Sequence, residues 1–172
     1  FTSFGESHGP AIGVVIDGMP PGVEISLEDL KSELKRRAPG QIIGTTSRKE
    51  EDEPEILSGI FEGKTLGSPI AVIVRNTNQR SKDYDKLKEE HRPGHADKTY
   101  ELKYNIRDHR GGGRSSGRET IARVIAGYFA SLVIPKVFVK AYTSKLGPFE
   151  QRELPSNIRE NFGPYSFPQN RD

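Results

Sequence analysis

The stretch R-D-H-R-G-G-G-R-S-S-G-R-E-T-I-A-R-V-I-A-G-Y-F, residues 107–129, joins a glycine-rich segment to an apolar run. Three consecutive glycines allow the backbone to bend and to approach a ligand closely. Ser116 and Glu119 have the spacing of a capping box, which predicts that a helix begins there. Apolar residues on a broad face continue to Val133, so Ser116–Val133 is predicted to be a core helix.

A glycine-rich loop that leads into a helix N-terminus is typical of an anion-binding site, because unpaired N–H groups and the helix dipole attract negative charge. Nearby arginines add fixed positive charge, namely Arg107, Arg110, Arg114 and Arg118. We therefore expect an anionic, phosphorylated ligand. Two alternatives stay open at this point: a solvated arginine loop that caps a core helix, and an Arg/Gly-rich RNA-binding module. The spacings of the P-loop and of the dinucleotide fingerprint do not fit.

The composition favours one soluble domain. The 172 residues include 29% charged and 33% hydrophobic residues, and the net charge of +2 does not indicate a general nucleic-acid binder. The count of 0 cysteines excludes a disulfide scaffold, a thiolate zinc site and a cysteine nucleophile. No apolar run approaches the ~18 residues that span a membrane, so we expect a cytoplasmic protein without a membrane partner. Because the chain begins with Phe1, we expect a processed or partial sequence.

The hydrophobic pattern predicts an α+β fold. Ser26 and Asp29 mark the start of an amphipathic helix that Pro39-Gly40 ends. Strands are predicted at Ala11–Asp17, Ile56–Phe61, Pro69–Val74 and Val137–Tyr142. The second and third of these are predicted to pair as an antiparallel hairpin through a turn at Glu62-Gly63. Arg75–Asn105 lacks sustained apolar periodicity, and a loop of this length in a compact domain is usually functional or mobile.

Two histidines are candidates for proton transfer. His8 follows Ser7 between glycines, which suits a place where the backbone approaches a ligand and an imidazole exchanges a proton near neutral pH. His95 has Asp97 two residues away, and this carboxylate is placed to orient or charge the ring. A metal pair of His91 with His95 is not expected, since a Pro-Gly step between them breaks a helix.

The segment G-E-S-H-G at residues 5–9 also matches the G-x-S-x-G nucleophile elbow of serine hydrolases, with Ser7 as the nucleophile. An elbow needs a helix after the serine, whereas a proline and a strand-like run follow here, so this alternative is weaker. Three further arginines, Arg36, Arg37 and Arg48, are solvated on the simplest interpretation. If they converge on the glycine loop, they form a pocket for a multiply anionic small molecule.

Taken together, a series of motifs resembles the chorismate synthase family over residues 1–130. They are F-G-E-S-H-G at 4–9, V-V-I-D-G-M-P-P-G at 14–22, R-R-x-P-G at 36–40, T-T-S-R at 45–48, I-L-S-G-I-F-E-G at 56–63, N-T-N-Q-R-S-K-D-Y at 76–84, R-P-G-H-A-D at 92–97 and R-D-H-R-G-G-G-R-S-S-G-R-E-T at 107–120. Any one of these could occur by chance, but the ordered series is highly specific.

The resemblance implies conversion of 5-enolpyruvylshikimate 3-phosphate to chorismate, the last step of the shikimate pathway, by trans-1,4 elimination of phosphate. The lyase would use reduced FMN without net redox change, with NADPH as a possible source of flavin reduction. The fold implied is a β-α-β sandwich with helices between antiparallel sheets, assembled as a homotetramer. Residues 1–172 would be a single domain that forms an incomplete portion of a longer chain, because the family continues far beyond Asp172.

The resemblance also implies roles for individual residues. His8 would be the acid that assists departure of phosphate, with Ser7 in its proton relay, and His95 would protonate or stabilise the reduced flavin. The FMN contacts would come from Arg114, Ser115 and Ser116. Arg37 and Arg48 would lie in the substrate and nucleotide pocket and bind both cofactor and substrate, and Arg107 would bind the anions of the substrate. No metal is implied. Three positions depart from the family's usual residues, namely Ile43, His109 and Gly117; at Ile43 the family often has an arginine, so an anion or NADPH contact is not expected there.

Overall fold

The centre of the structure is a four-stranded antiparallel sheet covered on one face by helices. The computed structural model describes residues 1–38, 52–76, 88–137, 139, 141 and 144–150. Its strands are β1 (Thr2–Gly5), β2 (Ala11–Ile16), β3 (Pro54–Ile56), β4 (Ile60–Phe61), β5 (Lys64–Thr65), β6 (Ile70–Arg75), β7 (Lys145–Leu146) and β8 (Phe149–Glu150). Its helices are α1 (Leu27–Arg37), α2 (Asp97–Tyr104) and α3 (Thr120–Val133).

The sheet has the order β1-β2-β6-β3, with every neighbouring pair antiparallel. β2 and β6 pair along their whole length, so that Ala11 lies opposite Arg75 and Ile16 opposite Ile70. The pairs β4–β5 and β7–β8 form separate two-stranded sheets. The α+β class is thus confirmed, and the described residues contain one four-stranded sheet and one helical layer.

The core lies between this sheet and α1 and α3. Side chains alternate along a strand, so every second residue of β2 and β6 faces the helices. The buried cluster combines them with residues of both helices: Ile12, Val14, Ile16, Ile70, Val72, Val74, Leu30, Leu34, Ile121, Ile125 and Phe129. Burying each large side chain of this kind stabilises the fold by roughly 1.5–3 kcal/mol. The core therefore fixes the positions of the strand and helix ends that carry the polar residues.

The prediction for α1 is confirmed at its start. Ser26 accepts a hydrogen bond from the backbone N–H of Asp29 (3.1 Å), as a capping residue does. Two acidic residues lie in the first turn and three basic residues in the last turn, which complements the helix dipole at both ends. Leu30 and Leu34 are the buried residues of this helix.

The predicted strand Ile56–Phe61 is wrong as a continuous element. Ile56 does pair with Val72 in the predicted antiparallel sense, but β3 ends there and β4–β5 forms its own hairpin. Gly59 explains the break, because its φ is +82° and a Cβ would lie 2.6 Å from the side chain of Ile70. The predicted turn at Glu62-Gly63 is confirmed, and both residues have positive φ.

The prediction that Arg75–Asn105 contains no regular element is wrong for residues 97–104, which form α2. Only Asp97 is buried among the residues of this helix. A helix that buries no apolar face produces no hydrophobic periodicity, so the sequence gives no signal of it.

The helix predicted from Ser116 to Val133 begins at Thr120, after two short 3₁₀ segments, Gly113–Ser115 and Gly117–Glu119. The capping box is wrong in detail. The side-chain oxygen of Ser116 accepts a hydrogen bond from the backbone N–H of Arg118 (3.3 Å), while the Glu119 carboxylate pairs with Arg114 (2.7 Å) instead of returning to Ser116.

Two predictions lie outside the described residues. One is the site residue Arg48, and the other is the strand Val137–Tyr142, of which residues 138, 140 and 142 are not described. Within the part of the chain that the structure describes, no helix has the length and apolarity needed to cross a membrane.

Candidate active site

Three consecutive glycines place three functional side chains around one loop. Gly111, Gly112 and Gly113 all have positive φ, at 58°, 87° and 52°. A Cβ would lie 2.1 Å from His8 at the first position and 2.4 Å from His95 at the second. At the third position it would lie 2.6 Å from the carboxylate of Glu6. Only glycine permits this approach, and the loop therefore brings together two histidines that are far apart in sequence.

Ser7 and His8 lie in a tight turn between β1 and β2. The turn is closed by the N–H of Gly9, which donates to the carbonyl of Glu6 (2.9 Å). Both side chains are buried, with 5% of Ser7 and 4% of His8 exposed, and the Ser7 hydroxyl is 3.1 Å from His8 Nδ1. This pair can relay a proton through the Ser7 hydroxyl. Because β2 follows Ser7, where a nucleophile elbow requires a helix, the serine hydrolase alternative is not supported.

His95 is held by a charged pair. Asp97 accepts two side-chain hydrogen bonds and one backbone hydrogen bond from Arg92, at 2.8, 2.8 and 3.0 Å. His95 Nδ1 is 3.2 Å from Asp97 Oδ1 and 3.2 Å from Arg92 Nη2. With hydrogen on Nδ1 the ring donates to Asp97, and without it Nδ1 accepts from Arg92. The ring therefore finds a partner in either state, as a proton-exchanging group requires.

The same geometry controls the charge of Asp97. Its carboxylate is 3% exposed, and the hydrogen bonds from Arg92 hold its pKa far below the usual range, against the opposing effect of burial. The carboxylate is thus ionised throughout the neutral range and orients His95. The predicted partnership of Asp97 with His95 is confirmed as a contact.

The pKa of Glu6 is raised, whereas that of Asp97 is lowered. Burial raises the pKa of its carboxyl, Asp108 and Glu119 add to the effect, and the charge and backbone N–H of Arg114 oppose it. Glu6 lies beside Gly113 and next to the Ser7–His8 pair. The turn thus presents a carboxyl group that takes up a proton more readily than an ordinary glutamate.

A cavity of about 820 Å³ opens on one side of the glycine loop. One wall comes from the loop and from Arg114 and Ser115, and the other from α2 and the segment after it. The lining residues on that second wall include Tyr100, Tyr104, Ile106, Arg107 and Arg110. His8 and His95 are not among the lining residues, but His95 adjoins the cavity through Gly112 and the Ser7–His8 turn adjoins it through Glu6. The wall combines aromatic rings with guanidinium groups, which suits a planar, anionic ligand.

The predicted arginines contact protein groups as well as the cavity. Arg114 donates to the carbonyl of Gly5 (2.8 Å) and to the Ser3 hydroxyl (2.7 Å), so it ties the glycine loop to β1. Arg107 donates to the carbonyls of Lys88 and Glu90, both at 3.2 Å. Arg114 and Arg107 still line the cavity, and so does Ser115. Ser116 instead caps the following 3₁₀ segment.

Arg37 and Arg36 differ in position. Arg37 donates to the Thr120 hydroxyl (3.1 Å) at the start of α3 and pairs with Asp52 (3.3 Å), so it does reach the polar end of the core helix. Arg36 pairs with Glu33 on the exposed side of α1. Neither lines the cavity. In the described residues no three His, Asp or Glu side chains are grouped as a metal site would require.

Sequence reasoning missed several residues of this site. Asn76 donates to two carbonyls of the Ser7–His8 turn, and Asp52 links Arg118 to Arg37. Asn76 lies in one of the motifs quoted above, but nothing in its neighbours along the chain indicates a partner. Tyr100 and Tyr104 were missed because α2 was missed.

The comparisons with known proteins agree with these motifs. Residues 1–166 match the model of the family described as chorismate synthase. The chain is 56% identical over 151 residues to a chorismate synthase of Cytophaga hutchinsonii, which covers 87% of this chain and 42% of the relative. It is 60% identical over 148 residues to that of Bacteroides thetaiotaomicron, covering 85% and 41%. The chain thus spans about two fifths of the length of these relatives.

A solved structure gives the same result at the level of the fold. A crystal structure of chorismate synthase superposes with a TM-score of 0.56 at 35% identity, covering 78% of this chain and 33% of the solved one. The family model covers nearly all of the sequence, and the relatives share more than half of their aligned residues with it. The chain therefore belongs to the chorismate synthase family.

Proposed function

We propose that this chain forms part of a chorismate synthase, a lyase that removes phosphate from 5-enolpyruvylshikimate 3-phosphate by trans-1,4 elimination and so forms chorismate. The observation that carries the proposal is the glycine loop, against which His8 and His95 both pack beside a cavity with arginines in its wall. The substrate carries one phosphate and two carboxylates, and clustered guanidinium groups recognise such anions. Residues 1–172 are proposed to be one domain of the longer enzyme.

The cavity fits a reduced flavin mononucleotide in size and character. Its volume of about 820 Å³ lies within the usual range for small-molecule sites, and Tyr100 and Tyr104 offer aromatic surface to a ring system. Arg114 and Ser115 would hold FMN, with Ser116 close to them in sequence. When bound, reduced FMN supplies the electron-rich partner that the elimination needs without net redox change. NADPH is proposed as the reductant of the flavin.

His8 is proposed to hold the proton that the departing phosphate receives. Its burial keeps water away from the proton, and the Ser7 hydroxyl at 3.1 Å provides a relay to the ring. A positioned general acid of this kind contributes typically 10²–10⁴-fold to the rate. Arg107, which lines the cavity, is proposed to bind the anionic groups of the substrate. Arg37, which lies outside the cavity wall, and Arg48 are proposed for the same role on the basis of the family resemblance alone.

His95 is proposed to hold a proton on the flavin side of the site. Its ring packs on Gly112, which lines the cavity, and its Nδ1 lies within hydrogen-bond distance of Asp97. Asp97 therefore fixes the orientation of the ring at this side of the cavity.

We further propose a homotetramer in the cytoplasm, on the basis of the family resemblance. Sedimentation velocity of the purified protein tests the assembly. A species of four chains is expected for the longer enzyme, and a monomer there would contradict it.

Chorismate formation under anaerobic conditions, with reduced FMN and 5-enolpyruvylshikimate 3-phosphate, tests the function. The assay is applied to this chain and to a chimera in which it replaces the matching region of the Cytophaga hutchinsonii relative. We expect turnover by the chimera at a rate comparable with that of the relative. A folded chimera that makes no chorismate, beside an active relative, would overturn the proposal.

The His8→Gln variant of the chimera tests the assigned acid. Turnover should fall at least about 100-fold, because the general acid is lost while the amide fills most of the same space. His91→Gln is the matched control, since His91 is exposed and its Nε2 is paired with the carboxylate of Glu101. Equal turnover of both variants would remove His8 from the mechanism.

A further inference from the structure

Asn76 holds both ends of the turn that carries the Ser7–His8 pair. Its side-chain Nδ2 donates to the carbonyl oxygens of Glu6 (3.0 Å) and Gly9 (2.7 Å), which are the first and last residues of the turn. The backbone N–H of the same residue donates to the carbonyl of Pro10 (3.0 Å). Three hydrogen bonds from one residue thus fix the path of this short segment.

The opposite side of the Asn76 side chain is held by a chain of charged groups. Its Oδ1 accepts from Arg118 Nε (2.6 Å), and Arg118 Nη1 donates to Asp52 (3.1 Å). Asp52 in turn pairs with Arg37 (3.3 Å), which also donates to Thr120 at the start of α3. The side chains of Asp52 and Arg118 are 2% and 8% exposed. Asn76 is thereby anchored to the ends of both core helices.

These contacts fix the orientation of the amide. Arg118 can only donate, so the atom that faces it must be the amide oxygen. The two backbone carbonyls can only accept, so the atom that faces them must be the amide nitrogen. Aspartate would place an acceptor against both carbonyls, and alanine would leave them without this donor. Asparagine alone among side chains of this size satisfies both sides.

We propose that Asn76 is a positioning residue for the Ser7–His8 pair. The inference rests on the proposed role of His8 as the acid. The amide holds the turn so that the Ser7 hydroxyl faces His8 Nδ1, and this hydroxyl, which can donate or accept, keeps Nδ1 hydrogen-bonded in either state of the ring. Positioning errors of about 1 Å at a reacting group can cost on the order of 10²-fold in rate, so a residue without any contact to substrate can matter to turnover.

Two substitutions of Asn76 distinguish the effect of losing its hydrogen bonds from the effect of adding a charge. Asn76→Asp keeps the acceptor for Arg118 but removes the donor, and it adds a negative charge. Asn76→Ala removes the donor without adding charge. Both variants should loosen the turn, and the amide exchange rate of Gly9 should rise about tenfold, the equivalent of the two lost hydrogen bonds.

The decisive measurement is ¹⁵N NMR of the His8 ring in this chain without any ligand. In the parent protein the ¹⁵N chemical shift of His8 Nδ1 should be that of a nitrogen hydrogen-bonded to the Ser7 hydroxyl, and in the two Asn76 variants it should move toward the value of a solvated imidazole. Circular dichroism checks that the fold persists. The chimera carrying either substitution should lose about tenfold or more in turnover, with a smaller change in KM than in kcat.

Asn105→Asp is the control for added charge, because Asn105 caps the end of α2, where its backbone N–H donates to the carbonyl of Glu101. It should leave the chemical shift of His8 Nδ1 unchanged. If the chemical shift of His8 Nδ1 in both folded Asn76 variants equals that of the parent, the proposal is overturned. If only the aspartate variant changes it, charge is the cause and the proposal also falls. Because the NMR measurement needs no substrate, it remains decisive even if the chimera forms no chorismate.

Discussion

Among the described residues, Asp97 is the acid whose pKa the fold lowers most strongly. Both oxygens of its buried carboxylate accept hydrogen bonds from Arg92, so removal of its charge weakens both charge-assisted bonds. The folded-state pKa lies below the unfolded value of about 4. This contribution to stability is therefore complete above that unfolded value and is lost as the pH falls through the folded pKa.

The Asp97→Asn variant should lose about 2 kcal/mol of unfolding free energy at pH 7, since the amide keeps one acceptor oxygen but no charge. The difference from the parent should shrink as the pH falls below about 4, because Asp97 of the unfolded parent then takes up a proton while Asp97 of the folded parent stays ionised. Urea unfolding at pH 7 and at pH 3 measures both values. A difference that does not depend on pH would show that the charge of Asp97 contributes nothing.

Glu6 should show the opposite pH dependence. Its pKa is raised by burial, with Asp108 and Glu119 adding repulsion and Arg114 adding attraction. A group with a raised folded pKa contributes stability at low pH and loses it as the pH rises through the folded pKa. Glu6→Gln should therefore be more stable relative to the parent at pH 7 than at pH 4. Urea unfolding at the two pH values gives the sign, and the reverse order would contradict the raised pKa.

At the scale of elements, the glycine loop has no room for an added side chain at any of its three glycines. Gly112→Ala places a Cβ 2.4 Å from the His95 ring at a φ of +87°. The variant should lose about 1–3 kcal/mol of unfolding free energy, and the NMR resonances of His95 should shift. Gly117→Ala is the matched control, because nothing lies within 4 Å of its added Cβ. Equal unfolding free energies of the two variants would contradict the close packing of the glycine loop against His95.

A tyrosine hydroxyl of α3 contacts the residue that caps α1. Tyr128 accepts from the N–H of Ser26 (2.8 Å) and donates to the carbonyl of the same residue (2.8 Å). Tyr128→Phe removes both bonds at the start of α1 and should cost about 1–3 kcal/mol. Thermal unfolding measures the loss, and Ser131→Ala, which removes one hydroxyl near the end of α3, is the control. A melting temperature equal to that of the control would show that the contact is dispensable.

Elements were predictable from sequence where their signals are local. The cap of α1 depends on Ser26 and Asp29, three residues apart, and it was predicted correctly. Glu119 has the same spacing from Ser116, yet its carboxylate contacts Arg114, which β1 holds in place through Ser3. The tertiary contact overrode the local one. At the site, the His95–Asp97 contact was predictable for the same local reason.

On the scale of the whole molecule, the site is assembled by pairings that no short window contains. Asn76 follows β6 directly, and Gly9 precedes β2, so the register of these strands decides whether the amide meets the turn. The sequence predicted both strands from their apolar runs but could not give their register with this precision. The family motifs pointed to the correct segments, while their contacts required the fold.

The antiparallel pairing of β2 with β6 also has a bearing on the order of folding. Residues 11–16 must find residues 70–75 before any of their hydrogen bonds can form, and closing such a long loop has an entropic cost. Proteins dominated by such pairings fold in roughly milliseconds to seconds. The Asn76 contacts lie at the end of this ladder, so they can form only with it or after it.

Pulse-labelled hydrogen exchange during refolding should therefore protect the amides of Val14 and Val72 no later than that of Gly9. Earlier protection of Gly9 would contradict this order. His8 then reaches its native environment only after the core has formed. An anionic ligand added during refolding should accordingly leave the folding rate unchanged and slow only the unfolding of the finished protein.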